Sequence, residues 1–287
     1  MFGSVSVIIP THNRAGYLPR ALNSVFKQTE PPGEVIVVDD GSTDDTETLI
    51  KNNFRQVRYL KQTQQGVSAA RNAAIRAASG QWIAFLDSDD EWLPGKLSAQ
   101  KHALNASGQI ICHTEEIWIR DGQRVNSHKK HTKKGGWIFQ HCLPLCAMSP
   151  SSIIIHQRVF EELGHFDTDL PACEDYDLWL RITARYPVTF VPKPQIIKYG
   201  GHGDQLSKQH WGMDRFRIRA LHNLLKTEGP VLSNTDRQAA VAMLKKKIHI
   251  FAAGARKRGR LEDAAHYESL YQSVSKATGS HLCSTST

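Results

Sequence analysis

Two aspartates spaced two residues apart offer the most specific chemistry in this sequence. Asp87 and Asp89 follow the apolar run 82–86. Side chains at positions i and i+2 of an extended segment point to the same side, so both carboxylates could face one divalent cation. Such a cation would neutralise a diphosphate, and the pair therefore predicts a metal-diphosphate site. The alternative is a turn that only ends a strand, because Asp hydrogen-bonds its own backbone in turns.

Two earlier apolar runs also end in polar or turn-forming residues. The runs 5–9 and 35–38 are followed by Pro10-Thr11 and by Asp39-Asp40, respectively, and a helical pattern comes after each. Short apolar runs that alternate with helices predict a mostly parallel central sheet with helices on both faces. Ligands bind beyond the carboxyl ends of such strands, so the three motifs should face a single cleft.

Helix boundaries are predicted from apolar spacing and capping residues. A helix over 17–28 has Asn13 as its candidate N-cap, and Ser42 is the candidate N-cap of the next helix. An alanine-rich helix over 67–78 is expected to end at Gly80.

The sheet is predicted to become mixed further along the chain. Asp121-Gly122 is a hairpin signal between two strands, and another strand is expected over 151–155. The Lys-, His- and Gly-rich stretch 128–136 is interpreted as a mobile loop that closes over the cleft. Further segments are assigned by pattern as a helix over 173–186, helices from 207 to about 276 and a disordered tail over 277–287.

Composition indicates a globular chain of one large domain with an appendage. The 287 residues are 40% hydrophobic, and no apolar run approaches the length of a membrane span. We divide the chain into a domain over 1–207, with halves 1–107 and 108–207, and a helical extension over 208–276. The start of the chain lacks the features of a secretory signal, which predicts a cytoplasmic location.

Five cysteines suggest neither a disulfide framework nor a zinc site, because their number is odd and their spacing is irregular. Cys173, beside Glu174, is a conceivable nucleophile, but the sequence places no base next to it. A small buried thiol is the preferred interpretation.

The net charge of +8 comes from the second half of the chain. Lys245–Lys247 and Arg256–Arg260 flank an apolar segment, a pattern that suits an amphipathic basic helix on an anionic membrane surface. A solvated helix face is the alternative. Nucleic acid is disfavoured as a partner because the basic clusters lack interleaved aromatic residues.

Five stretches of the sequence together resemble the family-2 glycosyltransferases. They are VSVIIPTHNR at 5–14, VVDDGSTD at 37–44, GVSAARN at 66–72, FLDSDD at 85–90 and EDYDLWLR at 174–181. The resemblance extends over about residues 4–207. It implies the GT-A fold and an inverting transfer from a nucleotide-diphosphate sugar, with a UDP-sugar first among the candidates, to a hydroxyl of a glycan or lipid-linked acceptor. It also implies a divalent metal, Mn²⁺ or Mg²⁺, and a place in cell envelope polysaccharide biosynthesis. The sequence lacks the Gln-x-x-Arg-Trp element of polymer synthases, so one sugar is expected per encounter.

The resemblance also implies roles for individual residues. The implied nucleotide-binding residues are Pro10, Thr11, Asn13, Arg14, Asp39, Arg71, Asp87 and Ser88. The implied metal ligands are Asp89 and His202, although Gly201 stands where relatives often have Arg. Asp175 would be the catalytic base, and Glu174 and Trp179 would have acceptor-side or supporting roles.

Helix geometry gives an independent reason to prefer Asp175 as the base. Asp175 heads an apolar stripe formed by Leu178, Trp179 and Ile182, so it should be carried inward at the helix start. Glu174 and Asp177 belong to another face, where Asp177 and Arg181 can pair on the outer side. Glu174 has the features of an ordinary acid in a first helical turn.

Two functions from other classes compete with glycosyl transfer. A nucleotidyltransferase could use the same sheet and metal carboxylates on a sugar phosphate, but 11–16 is a poor match to a Gly-rich phosphate loop. A non-catalytic interaction protein would bind nucleotide without turnover. A dinucleotide oxidoreductase is disfavoured because no Gly-x-Gly-x-x-Gly follows the first strand.

Overall fold

The computed structural model describes residues 3–125, 131–201, 210–227 and 231–279, which form a mixed α/β fold. Its strands are β1 (Val5–Thr11), β2 (Glu34–Asp40), β3 (Arg58–Gln62), β4 (Trp82–Phe85), β5 (Glu91–Trp92), β6 (Ile111–Arg120), β7 (Gln123–Val125), β8 (Ile154–His156) and β9 (Thr189–Gly200). Its helices are α1 (Leu18–Phe26), α2 (Thr46–Asn53), α3 (Val67–Ala77), α4 (Lys96–Ser107), α5 (Phe139–Cys142), α6 (Arg158–Leu163), α7 (Glu174–Thr183), α8 (Asp214–Thr227), α9 (Asn234–Lys257) and α10 (Leu261–Gly279).

The described residues build one sheet in the order β3-β2-β1-β4-β8-β6-β9-β5, with β7 paired to β6. Strands β3, β2, β1 and β4 are parallel, and each crossover between them carries a helix. β1 and β4 are buried along their whole length, as expected for strands covered on both faces. The predicted parallel sheet is therefore confirmed, with the carboxyl ends of β1, β2 and β4 at one edge.

The second half of the sheet is mixed, as predicted. β8 runs antiparallel to both β4 and β6, whereas β6 and β9 are parallel. Asp121 and Gly122 both have positive φ values, 49° and 76°, which is the backbone of a type I′ turn between β6 and β7. The β6/β9 ladder shifts register between Thr114 and Glu116.

Two hydrophobic clusters lie on opposite faces of the sheet. Alternate β1 residues belong to different clusters, because side chains of a strand point to opposite faces: Ile8 to one, Val7 and Ile9 to the other. Helices α1 and α4 cover the second cluster. The first cluster continues through α3 and α7 into α8, α9 and α10, so the C-terminal helices share core with the sheet.

Several predicted boundaries were wrong. Tyr17 and Asp45, rather than Asn13 and Ser42, precede α1 and α2, and neither helix has a side-chain cap. Gly80 does not end α3, since Ala78 follows the helix in extended conformation. A Cβ at Gly80 would lie 2.7 Å from the backbone nitrogen of Ser6, so this glycine allows close approach to the start of β1.

Two further predictions needed correction. The segment predicted as a strand over 151–155 begins with a 3₁₀ turn, Pro150–Ser152, and only then becomes β8. Helix α10 extends to Gly279, which includes the first residues of the predicted disordered tail.

The predicted C-terminal helices are present in the described residues from 214 to 279, but one of the charges assigned to their surface is buried. Lys247 was assigned to a basic surface, yet its ammonium is buried and donates to the Pro144 carbonyl at 2.9 Å and to Asp214 at 3.1 Å. This lysine ties α9 to α8 rather than to solvent. Among the described residues, no helix is long and apolar enough to cross a membrane.

Candidate active site

A cleft of about 660 Å³ opens at the carboxyl edge of the sheet, where β1, β2 and β4 end. It contains residues from all three strand-end motifs and from the start of α7. The predicted site residues that line it are Pro10, Thr11, Asn13, Arg14, Arg71, Asp87, Ser88, Asp89, Glu174 and Asp175. The prediction that these motifs face one cleft is confirmed. His202 lies outside the described residues.

The loops that follow β1 and β2 are tied to each other. Asn13 adopts a positive φ of 52°, and its backbone N–H donates to the Ser42 hydroxyl at 2.8 Å. The Asn13 side-chain oxygen accepts from the Thr43 N–H at 2.8 Å. Asn13 and Ser42, predicted as helix caps, thus join two loops at the rim of the cleft.

Asp40 fixes the segment that leads into α3. Its carboxylate accepts from the backbone N–H groups of Gln65 and Gly66, at 2.8 and 2.7 Å. Gly66 has a φ of 92°, a conformation that favours glycine, and α3 begins at the next residue. The strand-end acid therefore determines where Arg71, one turn into α3, enters the cleft.

Two predicted residues do not line the cleft. Asp39 is fully buried, and its carboxylate accepts from the Ser42 N–H at 2.7 Å and from the Tyr59 hydroxyl. Trp179 is also buried, and its indole donates to the Met148 carbonyl at 2.9 Å. Asp39 thus supports the loop after β2, and Trp179 supports the wall of the cleft behind Asp175.

Arg71 joins the two acidic parts of the site. The residue is 3% exposed, and its guanidinium donates to Glu174 at 2.6 Å and to Asp87 at 2.8 Å. Burial acts against the charged form, but the two carboxylates raise the pKa of Arg71 above its ordinary value. A prediction from the α3 sequence placed Arg71 near the cleft edge, and the structure puts it on the cleft wall as a bridge between β4 and α7.

Asp87 and Asp89 do not belong to an extended segment, because β4 ends at Phe85 and a turn follows. The argument that both carboxylates share one side of a strand was therefore wrong. Asp87 is paired with Arg71, and Asp89 lies 3.9 Å from Arg14. Arg20 donates to the Asp89 carbonyl at 2.5 Å and fixes this turn.

The turn suits a cation that is also bound by phosphate oxygens. In the described part of the chain, no three His, Cys, Asp or Glu side chains form a group that could hold a metal. Mg²⁺ and Mn²⁺ accept one or two carboxylates and complete their coordination with water and phosphate oxygens. Asp89, whose side chain is 20% exposed, supplies a hard oxygen donor of this kind.

Asp90, next in the turn, is buried beneath the cleft. Its carboxyl group accepts from the Ser151 hydroxyl at 2.6 Å and from the Tyr199 N–H at 3.3 Å. Burial raises the pKa of Asp90 to about 8. The charges of Asp87 and Asp89 add to this rise and the Lys198 ammonium opposes it, so the Asp90 carboxyl is mostly protonated at pH 7.

Asp175 reaches the cleft from the first turn of α7, as predicted. It is only partly buried, and one oxygen accepts from the Tyr176 N–H at 2.7 Å. The other oxygen lies 3.1 Å from the thiol of Cys146, which donates to it. Burial and the charge of Asp175 raise the pKa of Cys146 well above that of a free thiol, so this cysteine stays protonated.

The neighbours of Asp175 are more buried than predicted. Glu174 is 5% exposed and accepts a hydrogen bond from Arg71. Burial together with the charge of Asp175 raises the pKa of Glu174 to about 7. Asp177 pairs with Arg181 at 2.8 Å as predicted, but this pair is not on an outer face. Helices α5, α6 and α8 pack around α7, so almost every side of the helix is covered.

A layer of charge beneath the cleft was not predicted from the sequence. Lys198 of β9 lines the cleft, and Glu116 of β6 pairs with Lys133 at 3.2 Å. Although burial opposes it, the ammonium groups of Lys133 and Lys198 lower the pKa of Glu116 to about 2. Despite burial, Asp90 and Glu116 in turn raise the pKa of Lys198.

One signal in the sequence could have identified Lys198. It follows Ile196-Ile197 in an apolar strand, where a charged residue needs a partner. Cys146 carries no comparable signal, since its contact with Asp175 joins positions 29 residues apart.

The stretch 128–136, interpreted as a mobile lid, is held in place over its described residues 131–136. Lys133 is buried against Glu116, and Gly136 forms a β-bridge with Val188. The charge on Lys133 is therefore part of the layer beneath the cleft. Residues 126–130 lie outside the described part of the chain.

Comparisons with known proteins agree with the chemistry of the cleft. The family described as Glycosyl transferase family 2 matches residues 6–163, and Glycosyltransferase like family 2 matches residues 127–226. An uncharacterized glycosyltransferase of Rickettsia bellii is 33% identical over 184 residues, which cover 63% of this chain and 26% of that protein. A Rickettsia felis relative is 31% identical over 66% of this chain and 32% of its own length. The chain thus spans about a quarter to a third of these relatives.

A shorter relative carries a specific name. The Escherichia coli protein WfaP, a UDP-Glc:alpha-D-GlcNAc-diphosphoundecaprenol beta-1,3-glucosyltransferase, is 30% identical over 188 residues, which cover 63% of this chain and 70% of WfaP. Among solved structures, residues 1–349 of Staphylococcus aureus TarS in complex with UDP-GlcNAc superpose with a TM-score of 0.61. The match covers 94% of this chain and 92% of TarS, at 17% identity, and it shows a common fold.

Proposed function

Because this chain belongs to glycosyl transferase family 2 and has the GT-A fold, we propose that it transfers one sugar from a UDP-sugar to a hydroxyl of a glycan or lipid-linked acceptor. The observation that carries the proposal is the Arg71 bridge between donor-side and acceptor-side acids within one cleft. Asp87 and Glu174 share Arg71, so Asp89 and Asp175 are held in a fixed relation. UDP-GlcNAc in TarS and the UDP-glucose in the name of WfaP support the choice of donor.

The donor is assigned to the edge formed by β1, β2 and β4. Pro10-Thr11 and Asn13 line this part of the cleft, and the Thr11 hydroxyl is a buried atom without a hydrogen-bond partner among the described residues. A buried unpaired hydroxyl is costly, and a bound nucleotide would satisfy it. Arg14, near Asp89, and Arg71 place positive charge beside the position of the diphosphate.

The reaction we propose is a single displacement with inversion. Asp175 takes the proton of the acceptor hydroxyl while that oxygen attacks the anomeric carbon, and the nucleoside diphosphate leaves from the opposite side. The Cys146 thiol and the Tyr176 N–H orient the Asp175 carboxylate. A divalent cation bound at Asp89 would neutralise charge on the leaving diphosphate.

Calorimetry of four nucleotides tests the donor assignment. UDP, GDP, dTDP and CDP are titrated into the wild type and Asp89→Asn, each with Mn²⁺ and with a chelator. We expect UDP to bind most tightly, in a metal-dependent manner that Asp89→Asn weakens. Tighter binding of another nucleotide would reassign the donor, and binding by none of them would contradict the function.

Inversion is tested separately by NMR of the product. The anomeric configuration of the transferred sugar should be opposite to that in the donor. Retention of configuration would exclude single displacement with Asp175 as base.

A further inference from the structure

A second cavity, of about 500 Å³, lies among the C-terminal helices next to the cleft. Helices α8 and α9, the segment before α8 and the turn after α9 form its walls. Its lining residues include Trp211, Met213, Arg217, Phe251, Arg258 and Arg260.

The second cavity is continuous with the active-site cleft. Met213 and Arg217 line both spaces. Asp175 lines the cleft on the same side, since α7 and α8 pack against each other. A molecule whose hydroxyl reaches Asp175 can therefore extend past Met213 into the second cavity.

The charge of this cavity is positive. Asp214 is its only acid among the described lining residues, and it is neutralised by Arg217 at 3.0 Å and Lys247 at 3.1 Å. In the described part of the chain, no carboxylate forms an ion pair with Arg258 or Arg260. Arg258 donates to the Gly254 carbonyl at 2.9 Å, and Arg260 stacks 4.0 Å above the Trp211 ring. Two guanidinium groups are thus available at the cavity for an anion.

The same cavity also has an apolar wall. Trp211 stacks on Phe251, and both the Trp211 and Ile250 side chains remain about half exposed, at 48% and 54%. Large apolar side chains that are exposed together at a cavity rim are typical of binding sites. The combination of arginines and apolar side chains matches a ligand with an anionic group next to an apolar chain.

We infer that this cavity binds the acceptor, through a phosphate or diphosphate group that is joined to an apolar chain. The inference rests on the proposed function, because it places the acceptor hydroxyl at Asp175. Arg258 and Arg260 bind the phosphate oxygens, and Ile250 contacts the first part of the apolar chain. This assignment gives the C-terminal helices a role in acceptor selection.

Calorimetry with the full chain tests the inference. Farnesyl diphosphate and inorganic pyrophosphate are titrated in the presence of saturating UDP and Mn²⁺, which keeps both probes out of the nucleotide site. Three variants are compared with the wild type: Arg258→Ala/Arg260→Ala, Ile250→Asp, and the control Lys246→Ala/Lys257→Ala. The control removes two exposed charges of α9, the helix that precedes Arg258, that lie outside the cavity.

We expect Arg258→Ala/Arg260→Ala to weaken farnesyl diphosphate binding about tenfold or more, because charge-assisted hydrogen bonds are lost. The control should bind as the wild type does. Ile250→Asp should weaken binding of farnesyl diphosphate but not of pyrophosphate, which distinguishes an apolar-tailed ligand from a free phosphate. Unchanged melting temperatures would show that the variants are folded.

Three results would overturn the inference. One is the absence of farnesyl diphosphate binding to a wild type that binds UDP. Another is an equal loss in both double variants, which would indicate general electrostatic attraction. The third concerns phosphatidylglycerol vesicles. If the wild type binds them, both double variants lose this binding equally and farnesyl diphosphate does not compete with it, the positive charge serves a membrane surface and not the acceptor. Failure to bind UDP would instead contradict the proposed function.

Discussion

The turn after β4 and the start of α7 are two acidic segments with a similar arrangement of carboxylates, although one is a turn and the other a helix. Each pairs an acid at the cleft, Asp89 or Asp175, with a neighbouring acid that is buried, Asp90 or Glu174. In both buried acids the pKa is raised by burial, to about 8 and about 7. The buried acids therefore position the turn and the helix start, and the acids at the cleft remain accessible to a ligand.

The two segments differ in how the buried acid is held. Asp90 accepts from a hydroxyl and a backbone N–H, whereas Glu174 accepts from the guanidinium of Arg71. Replacing a protonated acid that accepts from uncharged donors by an amide costs little stability. Removing one partner of a buried ion pair costs more, because the other charge is left buried without a partner. Both buried acids thus depend on partners far away in the sequence, but α7 is held by a charged partner and the β4 turn by hydrogen bonds from uncharged groups.

The largest effect on activity should come from replacing Asp175, the proposed catalytic base at the start of α7. We expect Asp175→Asn to lower kcat about 10²- to 10⁴-fold, because a general base contributes on this scale. UDP affinity should stay close to that of the wild type, because the proposed nucleotide contacts lie elsewhere in the cleft. The measurement is the rate of UDP release with acceptor, alongside calorimetry. A kcat within a factor of about two of the wild type would show that Asp175 is not the base.

The dependence of α7 on Arg71 predicts a large loss of stability. Arg71→Met leaves Glu174 and Asp87 without their shared cation and should cost about 3–4 kcal/mol in the free energy of unfolding. Urea denaturation measures the change. Arg76→Met, at an exposed position of the same helix, is the matched control and should cost less than about 0.5 kcal/mol. Equal losses of stability in Arg71→Met and Arg76→Met would contradict a stabilising role of the Arg71 bridge.

The raised pKa of Glu174 predicts a particular pH dependence of stability. Its pKa rises from 4.5 in the unfolded chain to about 7 in the folded protein, so folding takes up a proton in this window. The contribution of Glu174 to stability is therefore highest below pH 4.5 and declines by about 3 kcal/mol as the pH rises to 7.

Urea denaturation of the wild type and Glu174→Gln at several pH values checks this sign. The advantage of the wild type over Glu174→Gln should shrink as the pH rises. An advantage that grows with pH would mean that Arg71 keeps Glu174 ionised throughout.

The smallest effect is expected in the β4 turn. Asp90→Asn should change the free energy of unfolding at pH 7 by less than about 1 kcal/mol, because the native side chain is already neutral there. A loss of stability comparable to that of Arg71→Met would show that Asp90 carries a charge. The β4 turn would then also depend on a buried ion pair, and the difference between the two segments would disappear.

The sequence was sufficient to predict the parallel strands, the β6/β7 hairpin and the cleft because each depends on local patterns. Strand ends in a parallel sheet converge, so Pro10-Thr11 and Asp87 could be placed together without a structure. The position of Asp175 followed from the apolar stripe of α7. These features require only periodicity and the order of elements.

The features that were missed depend on contacts between distant parts of the chain. Glu174 looked like a surface acid because its partner Arg71 is 103 residues away. Lys247 looked solvated because Pro144 and Asp214 cover it only after the helices pack. Local periodicity cannot indicate which of two charged faces will be covered by another element.

The register shift between β6 and β9 has a consequence for how the chain can change in length. β9 contains extra residues at the shift, Pro192 among them, whereas Lys198 and Tyr199 come after it and pair regularly with Trp118 and Ile119. Insertions or deletions at the shift can be absorbed by the irregular backbone. A single deletion between Ile196 and Lys198 would rotate the following side chains to the opposite face and remove the Lys198 ammonium from the cleft. Length variation in β9 is therefore compatible with Lys198 facing the cleft at the irregularity, but not after it.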